Sequence, residues 1–255
     1  MIHSFSFAAT PHIHFGVGQR VLISDLLKDF GSKVLLITGG TSFDASPLCS
    51  ELYQHLSSSF TLHRETISHE PSPEWLDDVV MRYHAKHIDV VLAIGGGSTV
   101  GAAKAVAGLL PTADSVMAYL EGVGHHKTFA GITTPFIAVP TTAGTGGETS
   151  KNAVISQMGQ QGFKKSFRDV TLVPKHIVLD PELTISCPTH VTAACGMDAF
   201  TQLLESYVAK GANPMTDALA WSGLQAIQRG LLAACDDGQN IEARAPCCMP
   251  HRYRV

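Results

Sequence analysis

A short run that is apolar at all but one position, Ile88-Asp89-Val90-Val91-Leu92-Ala93-Ile94, stops abruptly at Gly95-Gly96-Gly97-Ser98. Its length suits a strand buried on both faces, and the glycines predict a sharp turn into a following helix. The same grammar recurs. Lys33-Val34-Leu35-Leu36-Ile37-Thr38 reads as a strand closed by Gly39-Gly40, and Pro135-Phe136-Ile137-Ala138-Val139-Pro140 as another. A further strand is expected near 60–65. Between them lie helical patterns, one over 47–56 and one opening at Ser72-Pro73-Glu74 and running to about Lys86. Proline in the first turn with acids after it marks that start. Strands alternating with helices in this way specify a parallel sheet covered on both faces.

The pattern changes near residues 181–190. From Thr189 to Ala234 only helices are expected. Phe200, Leu203, Leu204, Tyr207 and Val208 share one helical face, and a second helix from Asn213-Pro214 has Leu219, Leu224, Ile227 and Leu231 on its apolar side. The chain therefore divides into an α/β unit over 1–183, a partial helical unit over 184–245 and an atypical tail over 246–255. A helix begun at Ile241 is expected to break at Pro246. The tail, with two prolines, two cysteines and two arginines, reads as an abrupt truncation.

Composition narrows the function. With a formal net charge of −4 there is no basic excess for nucleic acid. No stretch approaches the roughly 18–20 apolar residues that span a bilayer. Six cysteines without a CxxC pair, and a start lacking the features of a secretory signal, point to free thiols in a soluble, cytoplasmic protein. The 13 histidines are scattered, and His125-His126 is expected to be a solvated loop.

Glycines after a buried strand let backbone amides approach an anion, and a helix N-terminus supplies unpaired N–H groups. Ser98 and Thr99 add hydroxyls. The spacing is not G-x-G-x-x-G, and a tight turn that needs glycine for backbone reasons alone is the competing reading, but the strand-to-helix context favours phosphate binding. A second hydroxyl- and glycine-rich stretch, Pro140-Thr141-Thr142-Ala143-Gly144-Thr145-Gly146-Gly147-Glu148-Thr149-Ser150, follows another strand. Two such loops at the carboxyl ends of parallel strands share one sheet edge, where ligands bind in open α/β folds.

These residues, with Lys104, Asn152, Lys164-Lys165, Asp180-Pro181 and Gly196-Met197-Asp198-Ala199-Phe200, resemble the iron-containing (group III) alcohol dehydrogenases from about Phe15 to Arg244. The resemblance implies a Rossmann-like, dehydroquinate synthase-like parallel sheet, then the start of an all-α domain, with a metal in the cleft between. It implies hydride transfer between NAD(P) and an alcohol, aldehyde or ketone. Carried over by position, Gly96, Gly97, Ser98 and Thr99 would contact the pyrophosphate. Thr141, Thr142, Thr145, Ser150 and Val154 would line the nicotinamide side, Lys165 would reach the ribose and Leu183 the adenine. Gly39, Gly40, Thr41 and Ser42 stand where NAD-preferring members carry an acid, which leans the cofactor toward NADP or dual use with NAD. Asp198 matches the carboxylate ligand of Fe2+ or Zn2+. Gln202 takes the place of a histidine one helical turn on.

The family's remaining histidine ligands have no match, and His251 is not expected to replace them. The chain alone is thus expected to hold metal weakly and to be inactive or poorly stable. A homodimer is the family expectation. Gly101, where the family commonly has aspartate, leaves a maleylacetate reductase-like enzyme as one alternative. A non-catalytic nucleotide-binding fragment is another.

Overall fold

A computed structural model describes residues 4–7, 10–125, 127–144 and 146–249. Strands β1 (His12–Phe15), β2 (Lys33–Gly39), β3 (Thr61–Ile67), β4 (Val90–Gly95), β5 (Phe136–Pro140) and β8 (His176–Leu179) form one sheet in the order β1-β8-β5-β4-β2-β3. Every pairing in it is parallel. A separate antiparallel hairpin joins β6 (Asn152–Gln157) to β7 (Phe163–Arg168). The helices are α1 (Ile23–Lys28), α2 (Thr41–Asp44), α3 (Pro47–Ser59), α4 (Pro73–Tyr83), α5 (Gly97–Leu109), α6 (Thr189–Val208), α7 (Pro214–Asp236) and α8 (Ile241–Cys248).

Both sheet faces are covered, as the continuous apolar strands require. Successive side chains of a strand point to opposite faces. Leu35 and Ile37 of β2 and Val91 and Ala93 of β4 pack with α4 and α5, through Leu76, Val79, Val100 and Val106. Val34 and Leu36, with Val90, Leu92 and Ile94, pack on the other face with Ile23 and Leu27 of α1 and Leu52 and Leu56 of α3. Each large side chain buried in this way contributes about 1.5–3 kcal/mol. The expected start of α4 at Ser72 holds, and α3 has a matching one. Ser46 and Ser72 accept from the amides of Cys49 and Trp75, each ahead of a first-turn proline.

α6, α7 and α8 form a third core around Ala199, Leu203, Ile227, Leu231 and Cys247. Asn213 opens α7 with a reciprocal cap to Thr216. The apolar stripe of α6 is only partly covered, since Leu203 is buried whereas Leu204, Tyr207 and Val208 are exposed. α8 corrects one expectation. It runs through Pro246 to Cys248, because the buried Cys247 and Cys248 hold the last turn against α7 and the 181–184 turn. Residues 250–255, including His251, lie outside the described residues.

α7 and α8 touch closely at Gly230, where an added Cβ would lie 2.5 Å from the Ala243 carbonyl oxygen. Backbone cannot yield as a side-chain tip does. Gly230→Ala is therefore expected to push α8 away and cost about 1–3 kcal/mol, read as a lower Tm.

At the sheet edge, His12 and His14 of β1 stack on His176 of β8, with ring centroids 5.3 and 5.4 Å apart. Burial, then the neighbouring imidazoles, holds His14 and His176 below the usual histidine value of 6.5. Asp29 pulls His176 weakly the other way. The unfolded chain takes up these protons first. Stability from the cluster is thus complete above about pH 6.5 and is lost as pH falls through the lower folded values. Tm is expected to drop between pH 7 and about pH 5, and His14→Phe to flatten that dependence.

Candidate functional site

β4 ends at Gly95 and β5 at Pro140, adjacent strands in parallel register, so their following loops leave the same sheet edge. The contact is direct. The Thr141 amide donates to the Gly95 carbonyl at 3.0 Å, and a Cβ at Gly96 would meet the Thr142 side chain at 3.5 Å. Gly96 caps α5, and the first intrahelical bond runs from the Val100 amide to the Gly96 carbonyl. The amides of Gly97, Ser98 and Thr99 in the first turn consequently have no intrahelical acceptor. Gly95 must stay bare: a Cβ there would lie 2.4 Å from Thr99 Oγ1.

Beside this cradle lies a cleft of about 380 Å³, lined by Gly97, Ser98, Thr142, Ser150, Val154 and Gln202 among the expected residues. Glu70, Pro71, Gly101, Gly147, Asn152, Lys164 and Cys195 also face it. Its far wall is α6, which contributes Cys195 and Gln202.

Lys104 fixes the shape of that loop. The side chain is fully buried, and its ammonium donates to Gly147 O (2.6 Å), Asn152 O (3.1 Å), Ser150 Oγ (3.2 Å) and the Ser150 carbonyl. Ser150 is itself buried by this arrangement. Lys104→Met would leave these oxygens without their cation. A loss of about 3 kcal/mol is expected, seen as a lower Tm together with protease sensitivity at 146–152.

Several expected residues sit elsewhere. Thr99 is buried between Gly95 and Gly39, so its side chain supports the cradle and only its amide can face a ligand. Leu183 is buried in the core beneath the sheet edge. Lys165 does not line the cleft. It pairs with Ile155 in the hairpin and its Nζ would lie 3.4 Å from a Cβ at Gly122. Side chains alternate along a strand, and this register puts Lys164 on the cleft side with Val154 and Ser156. Gly39 ends β2 and Gly40 caps α2, with Thr41 and Ser42 exposed in the first turn of that helix. The nearest acid, Asp44, forms an ion pair with Arg64 at 2.8 Å. Thr145 and His126 lie outside the described residues, and His125 is exposed.

Asp198 and Gln202 are one turn apart on α6, and the Gln202 amide nitrogen donates to both Asp198 carboxylate oxygens at 3.2 Å. Among the described residues no three His, Cys, Asp or Glu side chains converge. A protein metal site uses at least three protein donors, so these residues alone do not fit a bound metal ion.

Residues 10–181 match the family model for iron-containing alcohol dehydrogenase, and residues 192–251 match that for the family's C-terminal region. The chain belongs to the iron-containing alcohol dehydrogenase family. It is 38% identical over 247 residues to alcohol dehydrogenase 4 of Saccharomyces cerevisiae, covering 95% of this chain and 63% of that one. It is 31% identical over 241 residues to an NAD-dependent methanol dehydrogenase of Bacillus methanolicus, covering 94% and 62%. Among solved structures, sulfoacetaldehyde reductase of Bifidobacterium kashiwanohense in complex with NAD+ superposes with a TM-score of 0.88 at 28% identity, over 98% of this chain and 65% of that one. The chain thus spans somewhat less than two thirds of the length of these relatives. No helix among the described residues is long and apolar enough to cross a membrane.

Glu70 and Lys164 are the charged residues among the cleft positions that sequence reasoning did not assign. A usable signal existed for Glu70, which follows β3 at the same carboxyl edge as the two glycine loops. None existed for choosing Lys164 over its neighbour without the hairpin register.

Proposed function

We propose that this chain supplies the dinucleotide half of an alcohol dehydrogenase, one that transfers hydride between NAD or NADP and a small alcohol, aldehyde or ketone. The observation that carries the reading is the convergence of the 95–99 and 141–150 loops beside the 380 Å³ cleft. A bound nicotinamide ring supplies the hydride donor or acceptor. The chain's own residues bind and orient it. The first-turn amides of α5 and the Ser98 hydroxyl meet the pyrophosphate, with the helix dipole favouring its charge. Thr142, on the loop that Lys104 holds rigid, and Val154 of β6 form the wall along which the nicotinamide lies, with Thr141 beside them. Gln202 and Cys195 close the opposite side and displace water from the reacting face.

Residues 1–183 would form the dinucleotide unit and 184–245 the start of the substrate side. Glycines and hydroxyls at 39–42, without a carboxylate, leave room for a 2′-phosphate, so use of NADP beside NAD is part of the proposal. The named relatives support NAD. Six free cysteines suit a reducing, cytoplasmic setting. Only Asp198 and Gln202 stand where the family's metal ligands are expected, too few to hold a metal ion. The role of this chain's own residues is to bind and orient the dinucleotide.

Fluorescence titration with NADH and NADPH tests the reading. Saturable binding of either is expected; no binding by folded protein would end it. Lys164→Met is expected to weaken that binding roughly tenfold, the value of a charged hydrogen bond. Lys165→Met should stay within about twofold. The reverse order would restore the lysine that the resemblance implied.

A further inference from the structure

Resting on that reading, we propose that Glu70 is a built-in competitor for the cofactor's anionic group, a specificity residue that holds dinucleotide affinity down. Glu70 sits between β3 and α4, where the Pro71 carbonyl accepts from the Ser156 amide at 2.9 Å and anchors the segment to the hairpin. One carboxylate oxygen accepts from Ser98 Oγ at 3.5 Å. The other accepts from Ser156 Oγ at 3.4 Å and lies 3.2 Å from Lys164 Nζ. A carboxylate therefore occupies the mouth of the helix cradle and engages the hydroxyl and ammonium that a phosphate would take.

The contacts are long, and both ends of the ion pair are about half exposed, at 51% for Glu70 and 64% for Lys164. Exposed pairs of this kind add little to stability. The arrangement is well suited to breaking. An incoming pyrophosphate takes Ser98 and Lys164, and Glu70 is left as an unpaired negative charge on the same cleft wall. Like charges a few ångströms apart in a half-solvated cleft repel measurably. The result is a weaker complex with faster release than the cradle alone would give.

The test is fluorescence titration of the full chain with NADH and, in parallel, with reduced nicotinamide riboside, which carries no phosphate. Glu70→Gln is expected to bind NADH roughly three- to tenfold more tightly than the unmodified chain. Glu70→Asp, which keeps the charge, should remain within about twofold of the unmodified chain. Affinity for the riboside should be the same in all three. Glu70→Ser carries the same expectation as Glu70→Gln and serves if the latter does not fold. NADH binding that is unchanged or weaker in the neutral variants, at unaltered Tm, overturns the inference and makes Glu70 an ordinary contact or a ribose acceptor. Equal tightening for the riboside overturns it too. Failure of the unmodified chain to bind any dinucleotide removes the proposed function itself, so the two failures are distinguishable.

Discussion

The ammonium of Lys104 is the point on which the site depends. It lies in the interior, on a helix whose buried residues are mainly alanine and valine, and it gathers oxygens from Gly147, Ser150 and Asn152. Burying a charge is costly unless it is fully hydrogen-bonded. The loop that follows β5 must therefore fold back over α5 to supply those oxygens. In doing so it delivers Thr142, Ser150 and Val154 to the cleft. One interior cation thus converts a glycine-rich stretch, which would otherwise have many conformations, into a wall.

Much of the fold was legible because β2, β4 and β5 are buried on both faces and read as unbroken apolar runs. The elements that escaped are those whose composition is mixed. β1 contains two histidines in four residues and lies at the sheet edge, and β8 is only four residues long. The hairpin of β6 and β7 packs on α5 instead of joining the main sheet, so its polar residues alternate with buried ones. That alternation decides which lysine faces the cleft, and a one-residue slip exchanges the two. Thr99 illustrates a different gap. Its place in the helix start was readable, but its burial depends on Gly39 from another strand.

The helical portion shows local rules being overridden by packing. Proline inside a short helix removes a backbone donor and crowds the preceding turn. α8 nevertheless continues past Pro246, since two thiols on its last turn find buried positions. Asp198 and Gln202 show the opposite case, in which helical spacing alone sufficed to bring two side chains together. What spacing could not tell is that the amide would offer its donor side to the carboxylate.

The bond from the Thr141 amide to the Gly95 carbonyl is made entirely by main chain. Replacing side chains along either loop leaves both of its atoms in place. The spacing between the two halves of the cradle is therefore insulated from changes in the residues that decorate it. Within this architecture, selectivity can drift by exchanging side chains while the distance between the anchoring segments stays constant.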